Sequence, residues 1–347
     1  TRYTKSLSVN TGFVGNNFIG SIDNVSVKEV ISGYDTPRLD YTDSSCPSLL
    51  LEPQSTNLIT YSEDFSQWSA LNNVVVTDNF ITSPDGTQNA AKLVFDGTAS
   101  GRIELSVSAS GTNTQSIYLK TESGTQNVSI GAGGVDLTQF TITDQWVRYT
   151  HTGGGDFPRI LCNDSATIYV YGAQLEALSY PTSYIPTNGA IATRLADVCN
   201  SAGNDQVINS SEGVLYAEIV GLSNPVDSPK NITISDGTLN NYVRIEYYQD
   251  GRVYGNVFDG TNTAANSVVN QLNFNKVAVQ YSSSGCKLYV NGIGVDFASK
   301  NFTSNTLNTV QFSSASGNSD FFHGNVKDVR VYNTALTEQE LTDLTTI

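Results

Sequence analysis

The chain has 347 residues, of which 29 are glycine and none methionine, with 39% hydrophobic and 15% charged side chains. Eighteen basic residues against 33 acidic ones leave a formal net charge of −15, and the lysines and arginines are scattered singly, so no basic face serves a nucleic acid. No run of about 18 consecutive apolar residues provides a membrane-spanning helix.

The length admits two or three domains. Short apolar runs separated by Ser, Thr, Asn and Gly predict an all-β chain of tandem β-sandwich (jelly-roll) domains. A chain this long would hold roughly half a dozen methionines at average usage. Their absence leads us to expect a piece of a longer polypeptide.

In chain order, residues 1–30 read as two strands, the clearer being Phe18 to Val27 with alternating polarity. Two strands alone are marginal, so they are expected to close a preceding or shared β-sandwich. Residues 31–58 read as a connector, with turns at Gly33, Pro37 and Pro47 before Leu49-Leu50-Leu51. Between 59 and 188, strand candidates recur at Asn73–Val76, Ala91–Phe95, Arg102–Val107, Gln115–Leu119, Gln126–Ile130, Gln139–Ile142, Trp146–Thr150 and Ala166–Leu175. That regular spacing, with turn residues between, is the pattern of a sandwich.

Two prolines and a glycine in Ser179 to Gly189 mark a domain boundary, and 189–212 reads as a linker. A second all-β stretch, 213–347, offers strands at Gly213 to Val220, Asn231 to Ser235, Asn241 to Tyr248, Arg252 to Phe258, Phe274 to Tyr281, Cys286 to Val290, Thr309 to Phe312 and Val326 to Tyr332, with hairpin signals at Asp250-Gly251 and Asn291-Gly292. Thr337-Glu-Gln-Glu340 has capping-box spacing, with Leu336, Leu341 and Leu344 on one side, and predicts a short C-terminal helix. Phe18 to Val27 aligns without gaps on Phe322 to Val331, which supports a closing-strand role for the N-terminal segment.

Three sets of residues carry resemblances. Lys287-Leu-Tyr-Val-Asn-Gly292, with Phe322-His-Gly-Asn-Val-Lys-Asp-Val-Arg-Val-Tyr-Asn-Thr-Ala-Leu-Thr-Glu-Gln-Glu-Leu341, resembles the end of a concanavalin A-like, laminin G-type jelly roll. Asn57 to Trp68, with Tyr169 to Glu176, is similar to carbohydrate-binding-module jelly rolls of the family 4/9 type. Pro47 to Leu58 and Thr182 to Asp197 resemble linking phrases of tailed-bacteriophage virion proteins such as tail fibres, adhesins and decoration proteins.

These resemblances imply a non-enzymatic virion structural or host-attachment protein at a virion surface or tail appendage. Its partners would be further copies of itself, other virion proteins and a host surface glycan. The alternative is a glycan-binding accessory region of a polysaccharide-active enzyme with its catalytic domain upstream.

Glycan recognition uses aromatic platforms with polar groups for ring hydroxyls. The candidates are Tyr247, Tyr248 and Tyr254 in the last domain, and the two tryptophans, Trp68 and Trp146. For each, packing in a core or against a subunit is the competing reading.

Glycosidase chemistry needs two carboxylates across a cleft. Glu63, Asp64, Glu104 and Glu246 are the acids weighed, with Glu246 expected to face solvent on its strand. His151 and His323 start no metal-spaced set and are expected at the surface or in turns. Asp250, Asp259 and Asp296 offer oxygen ligands suited to calcium, without the spacing of a calcium loop. Cys46, Cys162, Cys199 and Cys286 show no zinc-ligand spacing and read as thiols.

Overall fold

The structure is a computed structural model that describes residues 38–42, 46–98, 100–133, 136–222, 230–248, 252–268, 273–300 and 302–347. The closing strands expected over 1–30 and the turn at Asp250-Gly251 lie outside these residues. Within them the chain is all-β with one short C-terminal helix.

The first sandwich consists of two five-stranded antiparallel sheets. In one the spatial order is Leu137–Thr143, Thr125–Ala132, Pro158–Cys162, Gly101–Glu104 and Ser69–Leu71. In the other it is Val147–Gly154, Thr112–Thr121, Ser165–Glu176, Ala90–Asp96 and Val75–Ile81. Neighbours in space are not neighbours in sequence, so the chain crosses repeatedly from sheet to sheet.

Alternation places Leu93, Phe95, Ile117, Leu119, Ile130, Ile160 and Ile168 between the two sheets, each at most 1% exposed. Strands Ser69–Leu71 and Pro158–Cys162 were not expected from the sequence. The first is short and exposed, and the second opens on a proline.

The second sandwich pairs a five-stranded with a seven-stranded sheet. The five strands are Asn262–Val268, Arg252–Phe258, Tyr242–Tyr247, Lys230–Ser235 and Thr309–Gln311. The seven are Arg38–Asp40, Ser48–Leu51, Gly324–Tyr332, Glu212–Gly221, Asn275–Ser282, Cys286–Val290 and Ile293–Phe297. Its first two strands come from the segment read as a connector. Leu49, Leu50 and Leu51 pair with Val326, Asn325 and Gly324, some 275 residues later in the chain. The whole first sandwich is therefore inserted between strands of one sheet.

The chain leaves and re-enters along a two-stranded neck, Ser55–Asn57 paired with Ala192–Arg194. Glu52 is 4% exposed beside this neck. Its carboxylate takes Arg38 at 2.8 Å, Arg194 at 3.1 Å and the Ser183 backbone N–H at 2.8 Å. Asp197 also pairs with Arg38 and accepts the Glu52 N–H at 2.6 Å. Glu176, fully buried, accepts Ser55 Oγ at 2.5 Å, the Thr182 N–H at 2.9 Å and the Thr182 hydroxyl. The Pro-rich segment after Glu176 thus lies packed back on the first sandwich.

Outward residues Val214, Tyr216, Ala278 and Tyr289 of the seven-stranded sheet are covered by Leu341 and its neighbours on helix Glu338–Thr345. The capping box anticipated at Thr337 and Glu340 is present. Asn291 and Gly292 adopt φ of 51° and 83°, the left-handed pair that a tight hairpin requires. Cys162, Cys199 and Cys286 are free thiols.

Candidate functional site

The five-stranded sheet of the second sandwich has two unlike faces. Ile232, Ile234, Val243, Ile245, Val253 and Val257 point inward and are fully buried. The intervening residues, Thr233, Tyr242, Arg244, Glu246, Tyr254, Asn256 and Phe258, are polar or aromatic and share the outer face. The register sets Tyr242 opposite Phe258, Arg244 opposite Asn256, and Glu246 opposite Tyr254. An alternation of Val/Ile with Arg, Glu, Asn and Tyr therefore builds a hydrogen-bonding surface directly on the core.

This face is tightly organised. Tyr242 and Phe258 stack at 5.5 Å, and the Arg244 guanidinium lies 4.4 Å from the Tyr242 ring centre. Arg244 pairs with Glu246, whose carboxylate also accepts Asn256 Nδ2 at 3.0 Å. Tyr248 and Tyr254 meet edge to face at 5.4 Å. The Arg252 guanidinium packs against both rings and donates to Tyr254 Oη at 3.2 Å. Burial pushes the Tyr248 hydroxyl up, and Glu246 adds to the shift.

One end of the face is closed. Thr233 Oγ1 donates to the Ser313 carbonyl at 2.7 Å, and Gln311 Nε2 to Ala315 at 2.8 Å. Next to that cover, several buried polar atoms lack partners among the described residues: both amide atoms of Asn231, Asn256 Oδ1 and Arg244 Nε. Such atoms cost free energy unless something supplies the missing bond. At the other end of the face the half-buried rings of Tyr248 and Tyr254, with Arg252 against them, offer apolar surface and polar groups together, which suits a polyhydroxylated ligand.

The sequence candidates fall in different places. Tyr248 and Tyr254 come together on this face, each half-buried. Tyr247, one residue out of phase, points inward and is 2% exposed within the core. Trp68 is 4% exposed, packs on Phe65 at 5.3 Å and donates Nε1 to the Tyr61 carbonyl at 3.0 Å. Neither side chain offers a ring face to a ligand. Trp146 stands half-exposed on the first sandwich, with Nε1 donating to Thr82 O at 3.2 Å.

Arg244, Asn231 and Asn256 went unremarked in the sequence. The signal was present as polar residues in strict alternation with Val and Ile. Glu246, expected to face solvent, is 6% exposed because Arg244 and Asn256 close over it.

The remaining acids are spread over separate structural duties. Glu104 pairs with Arg159 at 2.6 Å, Glu63 accepts the Tyr184 hydroxyl at 2.9 Å, and Asp64 caps a short 3-10 helix. Asp259, just after strand Arg252–Phe258, holds Lys300 at 3.1 Å, and Asp296, on strand Ile293–Phe297, holds Lys287 at 2.9 Å, while Asp250 lies outside the described residues. No group of three or more His, Cys, Asp or Glu side chains among the described residues could hold a metal ion.

His151 differs from the surface or turn placement expected of it, whereas His323 is half-buried in the loop before strand Gly324–Tyr332. His151 is 5% exposed, with Nδ1 2.8 Å from Thr138 Oγ1, because its strand turns it into a polar pocket. His323 stacks near Phe321, and burial, with Lys230 adding, drops its pKa to about 4.

Residues 222–342 match the family described as the concanavalin A-like lectin/glucanases superfamily. No curated protein matches the chain. Among solved structures, the chain is similar to the CBM40 of the Ruminococcus gnavus IT-sialidase, at 16% identity and a TM-score of 0.36, over 44% of this chain and 96% of that one. A leech intramolecular trans-sialidase complexed with 2,7-anhydro-Neu5Ac aligns at 17% identity and a TM-score of 0.35, over 44% of this chain and 27% of that one. A heptameric SAP-like pentraxin from Limulus polyphemus aligns at 12% identity and a TM-score of 0.33, over 41% of this chain and 72% of that one. The matched region lies in the second sandwich, so that part of the chain is similar to the concanavalin A-like superfamily.

Proposed function

We propose that this chain is a glycan-binding, non-catalytic protein whose second sandwich holds sugar on the outer face of its five-stranded sheet. The observation that carries this reading is the half-buried Tyr248 and Tyr254 pair standing beside the polar row of Arg244, Glu246 and Asn256. The rings supply apolar surface for a pyranose, and the half-buried Tyr248, Arg252 and Tyr254 supply polar groups for hydroxyl contacts. Glu246 serves as a held acceptor in this arrangement, locked by Arg244 and Asn256. The family match over residues 222–342 points to the same class of ligand. The setting that fits best is an accessory binding region of a polysaccharide-active protein.

A glycan array probed with the full chain tests the reading. Binding to a defined set of glycans is expected, with Tyr254→Ala and Asn256→Ala abolishing it at unchanged melting temperature. An array without a retained glycan, or variants that bind like the parent, would sink it.

A second setting, a host-attachment or structural protein of a tailed-phage virion, is favoured by the segments Pro47 to Leu58 and Thr182 to Asp197. They supply Glu52, Arg194 and Asp197 to the ionic joint beside the neck. A particle map showing this chain in fixed copies supports that setting, and a catalytic domain encoded upstream removes it.

A further inference from the structure

The first sandwich carries a different arrangement on the outer face of its sheet. The register sets Tyr169 opposite Lys120 on one side and opposite Lys92 on the other. Trp146 extends this row at one edge of the sheet and Phe80 at the other. Phe80 stacks on Tyr169 at 6.0 Å with an interplanar angle of 14°. The Lys92 ammonium lies 4.2 Å from the Phe80 ring centre, and Lys120 sits between Trp146 and Tyr169, at 5.8 and 5.7 Å. Rings and cations therefore alternate across five neighbouring strands, a span of about 20 Å at the usual strand spacing.

Three observations set this row apart from an ordinary sheet surface. Strand Val75–Ile81 breaks register between Thr77 and Ile81, and Asn79 takes a φ of 52° there. That bulge aims Phe80, 44% exposed, over Tyr169, and Asp78 pins it by accepting the backbone N–H groups of Phe65 and Ser66 at 2.9 and 3.1 Å. The adjoining row of the same face is covered by the segment after Glu176: Tyr184 packs on Tyr171 at 5.5 Å and Arg148 donates to Thr182 O at 2.8 Å. The Lys120 row stays open, with Trp146, Lys92 and Lys120 half-exposed. Finally, two ammonium groups stand together in a chain of formal net charge −15. The carboxylate beside them, Glu122, accepts the Tyr169 hydroxyl at 3.3 Å.

We propose that this row binds an acidic polysaccharide, with sugar ring faces on Trp146 and Phe80 and sugar carboxylates at Lys92 and Lys120. Packing on a ring orients each ammonium while leaving N–H groups free for an anion. Two lysines on so acidic a chain are too few for a nucleic acid, which needs many phosphates neutralised at once. This site is independent of the face assigned to the second sandwich.

Affinity electrophoresis of the full chain in gels containing polygalacturonate, alginate or hyaluronan tests it, with fully methyl-esterified polygalacturonate and single-stranded DNA as comparisons. Retardation by at least one acidic polymer is expected, weakening as salt rises. For polygalacturonate, esterification should abolish it. Lys92→Gln with Lys120→Gln should weaken binding about tenfold or more, the scale of one charge-assisted contact. Trp146→Ala should do the same, and Tyr254→Ala in the second sandwich should leave it unchanged. The proposal is overturned if none of the three polymers retards the chain, if the esterified or DNA gel retards it equally, or if the double-lysine variant migrates like the parent at unchanged melting temperature.

Discussion

The two sandwiches solve the same packing problem with different chain paths. The first takes all ten of its strands from one continuous stretch, Ser69 to Glu176. The second takes two strands from before that stretch and the rest from after it. Their outer faces differ as well. The first presents rings alternating with lysines along an open row. The second presents a closed ion pair of Arg244 and Glu246, joined by Asn256, and a tyrosine pair. A common core architecture thus leaves outer-face chemistry free to diverge, because only the inward half of each alternation is bound by packing.

The largest effect that would test this division comes from Phe95→Ala in the first core, where the ring is 1% exposed. It should cost about 4 kcal/mol. Calorimetry should show one transition falling while the transition of the second sandwich stays in place; a single transition that falls as a whole would show that the two cores unfold together.

Glu52→Gln acts on the joint instead. Arg194 would lose its buried counter-charge and Arg38 would keep only Asp197, costing about 3 kcal/mol. Because Arg38 belongs to the second sandwich's sheet and Arg194 to the neck, urea unfolding should report weaker coupling between the two cores.

His323 supplies a pH-dependent difference. Its pKa falls from the ordinary histidine value of about 6.5 to about 4 in the folded chain, first through burial and then through Lys230. The unfolded chain therefore takes up this proton at higher pH than the folded chain does. Stability from His323 is complete above about pH 6.5 and is lost as pH falls toward 4, by about 2 to 3 kcal/mol once its partial exposure is discounted. His323→Gln should flatten that slope for the second sandwich alone.

The smallest effect is Thr337→Ala, which removes the helix cap and costs about 1 kcal/mol. Hydrogen exchange should rise over Glu338–Thr345 and leave the first sandwich unchanged.

Much of the fold was legible because strands with one face on a core must alternate. Arg252–Phe258 and Cys286–Val290 were placed at their observed limits, and Thr337 with Glu340 marked the helix start. Strands Asn262–Val268 and Ile293–Phe297 were missed. The first is rich in Asn and Ala and the second is mostly exposed at an edge, so neither carries the apolar period that marks a strand. Of the aromatic candidates, Tyr248 and Tyr254 were brought together, while Tyr247 and Trp68 went to the cores. A run of adjacent tyrosines does not reveal which of them faces in, since phase is set by the neighbouring strand.

By itself, then, the sequence determined the local facts: two all-β stretches, the capped helix, the Asn291-Gly292 hairpin and a charge balance that disfavours nucleic acid. Each depends on residues within a few positions of one another. Only the tertiary structure decided that Ser48–Leu51 pairs with Gly324–Tyr332, that Glu52 meets Arg194, and that Lys92 and Lys120 flank one tyrosine. Those outcomes join residues far apart in the chain, where register and sheet order fix the neighbours and local spacing carries no trace of them.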